Sequence, residues 1–467
     1  MTQPRDERKS RSLVLCFDGT SNEYDADNTN VVKFFALLRK DDPDEQLCYY
    51  QAGVGTYFQP GVVSPLFEWC AKILDLAVAW YLDQHVMDGY LFLMQNYRAG
   101  DKICIFGFSR GAYTARALAG FLYKIGLLSK DNQSQVTFAY KMYKRTDAEG
   151  LQLCAGFKET YCQSVTVEFL GVWDTVASVG VIMGRTLPFT NSNRAIKTFR
   201  HALSLDEASL HPFCADAPNR WCQSLNLPSP TPEDAANDPQ QASPAVERTA
   251  SSAFTIPNGF DGTSMKESPT KQNKKSWGFF GKGGSVKVKP TGKSIAPVLV
   301  EDDNGQEDDV LEVWFSGCHS DVGGGAVTND TASSLANISL RWMVREAATA
   351  ACGIKFDEDA LARAKISIQL EPTEEELDMD NNDALEPIHD ELKANPLWWL
   401  LEIVPTKYSW QDANGVWHGK WSFNLGRGRN IMDPQPNFHA TVRRRMQSPL
   451  KYTPKAKWTF GTESYVH

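Results

Sequence analysis

The stretch KICIFGFSRG, residues 102–111, is an apolar run that ends in the pattern Gly107-Phe108-Ser109-Arg110-Gly111. The residues that follow it, AYTARALAGFLYKIG, have a composition typical of a helix. A serine between a strand and a helix lies in a tight turn that exposes its hydroxyl group and leaves no room for bulky neighbours. Flanking glycines provide that room, and the N-terminus of the helix favours developing negative charge. The pattern therefore predicts a nucleophile elbow with Ser109 at its tip, against the alternative of a structural turn serine.

Apolar strand-like runs alternate with helix-like segments along the chain. The runs LVLCFDG (13–19), LCYYQAGVG (47–55) and 102–108 precede two more, which are VTVEFLGVWD (165–174) and VLEVWFSGC (310–318). Strands that are apolar throughout are buried on both faces, as in parallel sheets covered by helices. We therefore expect an α/β fold with a doubly wound, mostly parallel sheet, whose site lies at the carboxyl ends of the strands.

The composition changes sharply between residues 223 and 309, where proline, serine, glycine and charged residues replace core-forming ones. Such a segment cannot bury enough apolar surface to fold, and it predicts a disordered insertion within one domain. The expected organisation is then a disordered N-terminus over 1–11 and a catalytic domain in two parts, 12–222 and 310–467. The second part includes a lid or accessory segment near the C-terminus.

The charge balance is acidic, with Lys+Arg 48 against Asp+Glu 57 and a net charge of −9, so we expect no nucleic-acid partner. The ten cysteines lack the paired spacing of metal ligands, which predicts buried thiols in a reducing compartment and no metal or cofactor. The charged N-terminus lacks the apolar region of a signal peptide, and no run of 18 apolar residues occurs. These features favour a cytoplasmic protein. The oligomeric state stays open.

A nucleophilic serine needs a base to accept its proton and an acid to orient that base. His319 fits the base, because it follows the strand VLEVWFSGC and opens the sequence HSDVGGG, whose glycines Gly323 and Gly324 let the backbone pack close to the site. Asp174 fits the acid, because it ends the strand VEFLGVWD and preserves the chain order Ser…Asp…His. The alternative for Asp174 is a purely structural role as the N-cap of a helix.

A second pairing, Asp321 as the acid and His439 as the base, preserves the same chain order. Asp321 could instead orient His319 from the next layer of residues around the site. His439 follows turn residues rather than a clear strand, so this pairing ranks second.

Acyl transfer also needs amide donors for the oxyanion. One is expected at Arg110, the residue after the nucleophile, and the other at Gly19 or Thr20 in the segment FDGT. That segment also matches the end of the phosphotransfer motif D-x-D-G-T. The nucleophilic aspartate of that motif is replaced here by Cys16, which disfavours this interpretation.

Six ordered motifs resemble the catalytic domain family of type VI secretion phospholipase effectors. They are LVLCFDGTSNEYDADNTNVVKFF, YYQAGVGT, FGFSRGAYTARALAG, FLGVWDTVASVG, RHALSLDE and FSGCHSDVGGG. The resemblance implies an α/β-hydrolase fold with a triad of Ser109, Asp174 and His319. The studied members of the family include bacterial effectors that cleave acyl esters of glycerophospholipids.

The resemblance predicts a serine hydrolase that cleaves carboxylic esters through an acyl-serine intermediate. The expected substrates are acyl esters of lipids, which implies an activity like that of phospholipase A. The apolar segment NPLWWLLEIVP, residues 395–405, is typical of a segment that packs in the core or in a lid. The alternative is a wall that receives an acyl chain or makes a peripheral membrane contact.

The alternative function for the whole chain is a catalytically silent hydrolase-fold protein that recruits partners through the insertion.

Overall fold

The central sheet confirms the predicted fold class. The computed structural model describes residues 10–19, 22, 24–53, 67–145, 147–176, 196–207, 309–394, 406–411, 417–422, 425–431 and 433–467. Within these residues, eight strands run parallel in the order β12-β11-β8-β7-β6-β3-β1-β2. Their bounds are β1 Ser12–Phe17, β2 Gln46–Gln51, β3 Lys102–Phe108, β6 Val167–Trp173, β7 Ile196–Ser204, β8 Asp309–Phe315, β11 Asn437–His439 and β12 Ser464–Val466.

Two short antiparallel pairs lie outside this sheet, β4 (Leu127–Leu128) with β5 (Cys162–Gln163) and β9 (Thr406–Gln411) with β10 (Trp417–Ser422). The helices of the described residues are α1 Asn30–Leu37, α2 Phe67–Asn96, α3 Ser109–Ile125, α4 Gln133–Tyr143, α5 Ala148–Tyr161, α6 His319–Gly323, α7 Leu335–Thr349, α8 Glu358–Ala364, α9 Glu374–Asp383, α10 Glu391–Ala394 and α11 Ala440–Met446.

Helices cover both faces of the sheet, and the side chains of each strand alternate between them. In β1, Leu13 and Leu15 pack with residues of α2 to α5, whereas Val14 and Cys16 pack with residues of α1, α7 and α8. This alternation follows from the two-residue repeat of a strand. Each buried side chain of this size contributes about 1.5–3 kcal/mol through burial, and this explains why β1 is almost entirely apolar.

The strand order reverses at β1, which lies between β2 and β3. The chain moves from β1 to β2 at one edge, returns to β3 on the other side of β1, and then continues away from it. The crevice outside the carboxyl ends of two such strands is the usual binding site of an open α/β sheet. Here it contains Gly19, which closely follows β1, and Ser109, which follows β3.

Strand β7 was not predicted as a strand, because it carries charged side chains where a buried strand is expected to be apolar. Arg200 and His201 are buried, and both are paired. Arg200 forms ion pairs with Asp309 and Glu346, and Nδ1 of His201 lies 2.9 Å from Oε1 of Glu312. Partners from neighbouring elements therefore satisfy these polar groups, and a pattern of apolar residues alone does not reveal them.

Three predictions about organisation fall mainly on residues outside the described ranges. These are the insertion at 223–309, of which Asp309 alone is described, the aromatic segment at 395–405, and most of the N-terminus at 1–11. Within the N-terminus, Arg11 is buried and its Nε donates to Oδ2 of Asp101 at 2.9 Å. The described fold thus includes Arg11.

The contact between the elbow and β1 gives a stability test. A methyl group on Gly111 would lie 2.2 Å from the carbonyl oxygen of Phe17, which is backbone and cannot rotate away. We expect Gly111→Ala to lower the free energy of unfolding by about 1–3 kcal/mol or more, as overpacking does. Denaturant unfolding followed by circular dichroism measures this change.

A glycine in open space is the matched control. Gly156 lies in α5, and a methyl group there would meet no atom within 4 Å. Gly156→Ala is expected to raise stability by about 0.5–1 kcal/mol, because alanine suits a helix better than glycine. Equal stability of both variants would show that the chain does not approach β1 so closely.

Candidate active site

Ser109 lies at a sharp turn from β3 into α3, as the elbow pattern predicts. Its φ of 57° falls in the left-handed region that non-glycine residues rarely adopt. The turn requires glycine at position 107, because a Cβ there would lie only 2.5 Å from the carbonyl oxygen of Gly111. Both glycines of the pattern are therefore required by close backbone contacts. The serine itself is 9% exposed, at the crevice of the sheet.

His319 and Asp174 lie within hydrogen-bonding distance, with Nδ1 of His319 2.6 Å from Oδ2 of Asp174. An ionised carboxylate only accepts hydrogen bonds, so Nδ1 carries the proton and Nε2 of the neutral ring is an acceptor. The imidazole stacks on the Phe108 ring, with centroids 4.6 Å apart. Because Phe108 directly precedes Ser109, this stacking places the imidazole beside the elbow.

The chain segments around the elbow are also tied together by backbone contacts. The amide of Val176 donates to the carbonyl oxygen of Ser109 at 3.2 Å, which joins the loop after Asp174 to the elbow. Gly323 lies against Phe108, since a Cβ there would be 1.8 Å from the ring. Gly324 has a φ of 83° and lies close to the backbone of Asn30. The glycines after His319 thus let α6 pack against the elbow.

The Asp174 carboxylate is fully buried and accepts several more hydrogen bonds. The amide of Ser204 donates to Oδ1 at 3.0 Å and its hydroxyl to Oδ2 at 3.1 Å. Arg429 donates from Nη1 to Oδ1 at 2.5 Å and from Nη2 to Oδ2 at 3.0 Å. Burial alone would raise the pKa of Asp174, but the charge of Arg429 and the hydrogen bond from His319 outweigh it and hold the pKa far below 3.8.

Asp174 also has an unusual backbone, with a φ of 35°. The next residue is held by a second histidine, because the amide of Thr175 donates to Nε2 of His201 at 3.2 Å. Since Nε2 accepts, Nδ1 of His201 carries the proton that points to Glu312. The Glu312–His201 pair thus fixes the turn that contains Asp174.

Two of the three expected oxyanion donors, Arg110 and Gly19, lie in the described part of the chain. Arg110 is the second residue of α3, so its amide lies in the first turn, where N–H groups point out of the helix N-terminus. Gly19 faces the elbow, since a Cβ there would lie 3.2 Å from Cβ of Ser109, but its amide donates to Oδ1 of Asp18 at 2.7 Å. Thr20 lies outside the described residues.

Asp18 is a structural group in this arrangement. Its carboxylate accepts from the hydroxyl of Tyr50 at 2.7 Å and from that of Thr29 at 2.8 Å, and burial raises its pKa above 3.8. Cys16, two residues earlier, is fully buried in the core. Across the described ranges, no group of three His, Cys, Asp or Glu side chains is arranged to hold a metal ion.

The second pair of candidates is not brought together by hydrogen bonds. Asp321 accepts from Nδ1 of His389 at 2.7 Å and from the backbone amide of Cys318 at 2.9 Å. His439 is buried and caps α11, with its Nδ1 2.8 Å from Oγ1 of Thr441. Each residue therefore has a structural partner of its own.

Sequence reasoning missed three groups that contact the His319–Asp174 pair. They are Arg429 and Ser204, which bind the carboxylate, and Glu207, whose Oε2 accepts from the backbone amide of His319 at 3.0 Å. Ser204 and Glu207 lie within the motif RHALSLDE, where β7 ends, so an assignment of that strand could have found them. Arg429 lies in the sequence GRGRN, which carries no strand or helix signal.

Comparisons with known proteins identify related sequences and structures. A model for the catalytic domain of Tle1-like phospholipase effectors of the type VI secretion system matches residues 11–346. The uncharacterized protein YEL023C of Saccharomyces cerevisiae is 28% identical over a 555-residue alignment, which covers 95% of this chain and 80% of the yeast protein.

Two solved structures align with a TM-score of 0.34 each. One is the Tle1 effector bound to the VgrG spike of the type 6 secretion system, at 13% identity, covering 91% of this chain and 95% of that one. The other is an uncharacterized protein from Pseudomonas aeruginosa, at 16% identity, covering 82% of this chain. This chain spans about half, 54%, of the Pseudomonas protein.

None of the helices in the described ranges is both long enough and apolar enough to cross a membrane.

The buried His439 predicts a pH dependence of stability. Burial, with the nearby charge of Arg345, holds the pKa of His439 well below its ordinary value of 6.5. As the pH falls below about 6.5, the unfolded chain binds a proton that the folded protein does not, so stability falls by up to about 1.4 kcal/mol per pH unit for this group. Urea unfolding between pH 7.5 and 5.5 measures the slope.

His439→Asn is the variant for this test, because asparagine caps a helix well and does not titrate. The variant is expected to lose stability less steeply as the pH falls. Parallel slopes for the two proteins would contradict a neutral, buried His439.

Proposed function

The chain belongs to the family of Tle1-like phospholipase effector catalytic domains, and we propose that it is a serine hydrolase that cleaves carboxylic esters of lipids. The observation that carries this proposal is the hydrogen bond between His319 and Asp174 beside the elbow serine, Ser109. A nucleophile, a base and an orienting acid at one edge of the sheet, after β3, β8 and β6, are what acyl transfer requires.

In the proposed mechanism, Ser109 attacks the ester carbonyl while Nε2 of His319 takes its hydroxyl proton. Asp174 holds the ring in the required tautomer and stabilises the imidazolium that forms. The bond to the leaving alcohol then breaks, and His319 returns the proton to that alcohol. Water attacks the acyl-serine in a second, equivalent cycle and releases the fatty acid.

The amide of Arg110 is the first oxyanion donor in this proposal. The second comes from the turn after β1, from Thr20 or from Gly19. In the described structure the Gly19 amide donates to Asp18, which favours Thr20 for this role. Each such donor contributes on the order of 10²–10³ to the rate.

A lipid substrate is supported by the family description, which names phospholipase effectors. The aromatic sequence at 395–405 is suited to contact acyl chains, and Tyr24, in the loop after β1, is 78% exposed. We place the enzyme in the cytoplasm as part of this proposal, because seven cysteines whose side chains the structure describes are free thiols.

The nucleophile is tested by labelling with a fluorophosphonate, which reacts with activated serines. The wild-type protein is expected to be labelled, and Ser109→Ala is expected to lose all labelling. His319→Ala is expected to reduce ester turnover by about 10³- to 10⁶-fold, because the serine then lacks its base. In-gel fluorescence and ester turnover measure the two effects.

Two variants control for indirect effects. Ser129→Ala changes an exposed serine after β4 and should leave labelling intact. His439→Asn tests the second pairing and should retain turnover in the folded protein. Turnover that depends on His439 while His319→Ala stays active would move the base to His439.

The substrate class is tested with vesicles of defined phospholipids and with soluble esters of short acyl chains. Release of fatty acid from the vesicles, resolved by mass spectrometry and absent in Ser109→Ala, is the expected result. Turnover of short soluble esters alone would argue against a lipase. A protein with neither activity nor labelling would favour the non-catalytic alternative.

A further inference from the structure

The side chain of Arg429 contacts both oxygens of the Asp174 carboxylate. The distances are 2.5 Å from Nη1 to Oδ1 and 3.0 Å from Nη2 to Oδ2. This is the bidentate geometry that a planar guanidinium provides and that lysine cannot reproduce. The arginine side chain is 13% exposed and the carboxylate is fully buried, so the pair is largely shielded from water.

Arg429 comes from a part of the chain that the family model does not include, since the match ends at residue 346. Its segment, residues 425–431, is held by backbone hydrogen bonds against a second C-terminal segment, residues 452–457. The amide of Lys457 donates to the carbonyl oxygen of Arg429, and the amide of Ile431 to that of Lys457, both at 2.8 Å. Gly428 permits this pairing, because a Cβ there would lie 2.0 Å from the carbonyl oxygen of Lys455.

The second C-terminal segment is in turn fastened to the sheet by Asp206, a buried residue just after β7. Its carboxylate accepts from the hydroxyl of Tyr452 at 2.6 Å and from the amide of Lys455 at 3.1 Å. It also accepts from the amide of Gly317, after β8, at 2.7 Å. The amide of Ala456 adds a bond to the carbonyl oxygen of Leu205. The position of Arg429 is therefore fixed from the carboxyl ends of β7 and β8.

The charge of Arg429 affects the pair of Asp174 and His319 directly. A lone buried carboxylate strongly favours a proton on its partner imidazole, because nothing else balances its charge. The guanidinium balances that charge, which favours the neutral imidazole that accepts a proton from Ser109. Its two hydrogen bonds also fix the carboxylate plane, and hence the direction of the bond to Nδ1 of His319.

We propose that Arg429 is the positioning residue of this site: it orients Asp174 and keeps the imidazole of His319 free to act as the base. This rests on the proposed serine hydrolase function. It follows that the C-terminal part of the chain completes the catalytic unit, and that residues 11–346 alone are not sufficient for full activity.

The test compares Arg429→Met, Arg429→Lys and wild-type protein in the full chain. Arg429→Met is expected to lower kcat by about 100-fold, as misplacement of a catalytic group does, with a smaller effect on KM. The acid limb of the pH profile of kcat/KM is expected to move up by roughly one pH unit, since the pair then takes up its proton more readily. Arg429→Lys keeps the charge, so it should retain the wild-type acid limb but recover only part of kcat.

Arg427→Met is the matched control, because Arg427 is an exposed arginine two residues away on the same segment. It should leave both kcat and the pH profile unchanged, and thermal unfolding checks that all variants fold. An acid limb and a kcat for Arg429→Met equal to those of the wild type would overturn the proposal. So would equal shifts for Arg429→Met and Arg429→Lys, which would indicate a purely structural role.

A measurement that needs no turnover separates this proposal from the proposed function. NMR of histidine-labelled protein follows proton uptake by the Asp174–His319 pair, with the signal assigned by its loss in His319→Ala. A wild-type protein without esterase activity would reject the proposed function. A raised midpoint of proton uptake in Arg429→Met would still support the positioning role of Arg429. An unchanged midpoint would reject that role in either case.

Discussion

A buried carboxylate stays ionised only if enough hydrogen-bond donors and positive charge surround it, and much of the site follows from this constraint at Asp174. Its two oxygens accept from Ser204, His319 and Arg429, which come from three separate parts of the chain. Three buried aspartates in the segments that follow β1, β7 and β8, which are Asp18, Asp206 and Asp321, have a raised pKa because burial outweighs their donors. Among these four, Asp174 is distinguished by the arginine that contacts it and by the direction of its pKa shift.

The other three aspartates share a structural task, which is to join loops at the carboxyl edge of the sheet. Asp18 joins the turn after β1 to Thr29 and Tyr50, and Asp206 joins the ends of β7 and β8 to the C-terminal segment. Loops carry functional groups, but a loop holds such a group in a fixed position only if the loop itself is rigidly attached to the fold. The carboxylates provide that attachment, because each accepts hydrogen bonds from several backbone amides or hydroxyls.

Close packing at the elbow imposes the second constraint. The turn at Ser109 is possible only where the backbones of β1, β3 and α3 approach one another, and a side chain at Gly107 or Gly111 would prevent this approach. Gly323 extends the same contact to Phe108, whose ring stacks on His319. The backbone strain at Ser109 and at Asp174 is therefore maintained by packing and hydrogen bonds around both residues.

The sequence alone determined what depends on local backbone geometry. Five of the parallel strands (β1, β2, β3, β6 and β8), the elbow at Ser109 and the strand-end positions of Asp174 and His319 were predicted, because apolar runs and glycine patterns report local structure directly. Tertiary structure decided the rest. Strand β7 lacks the apolar pattern of a buried strand, because it carries charged residues whose partners lie on neighbouring elements. Asp321 forms its hydrogen bond with His389 and not with His439. Arg429 reaches Asp174 from 255 residues further along the chain. Such contacts depend on how distant segments pack, and no local pattern in the sequence encodes that packing.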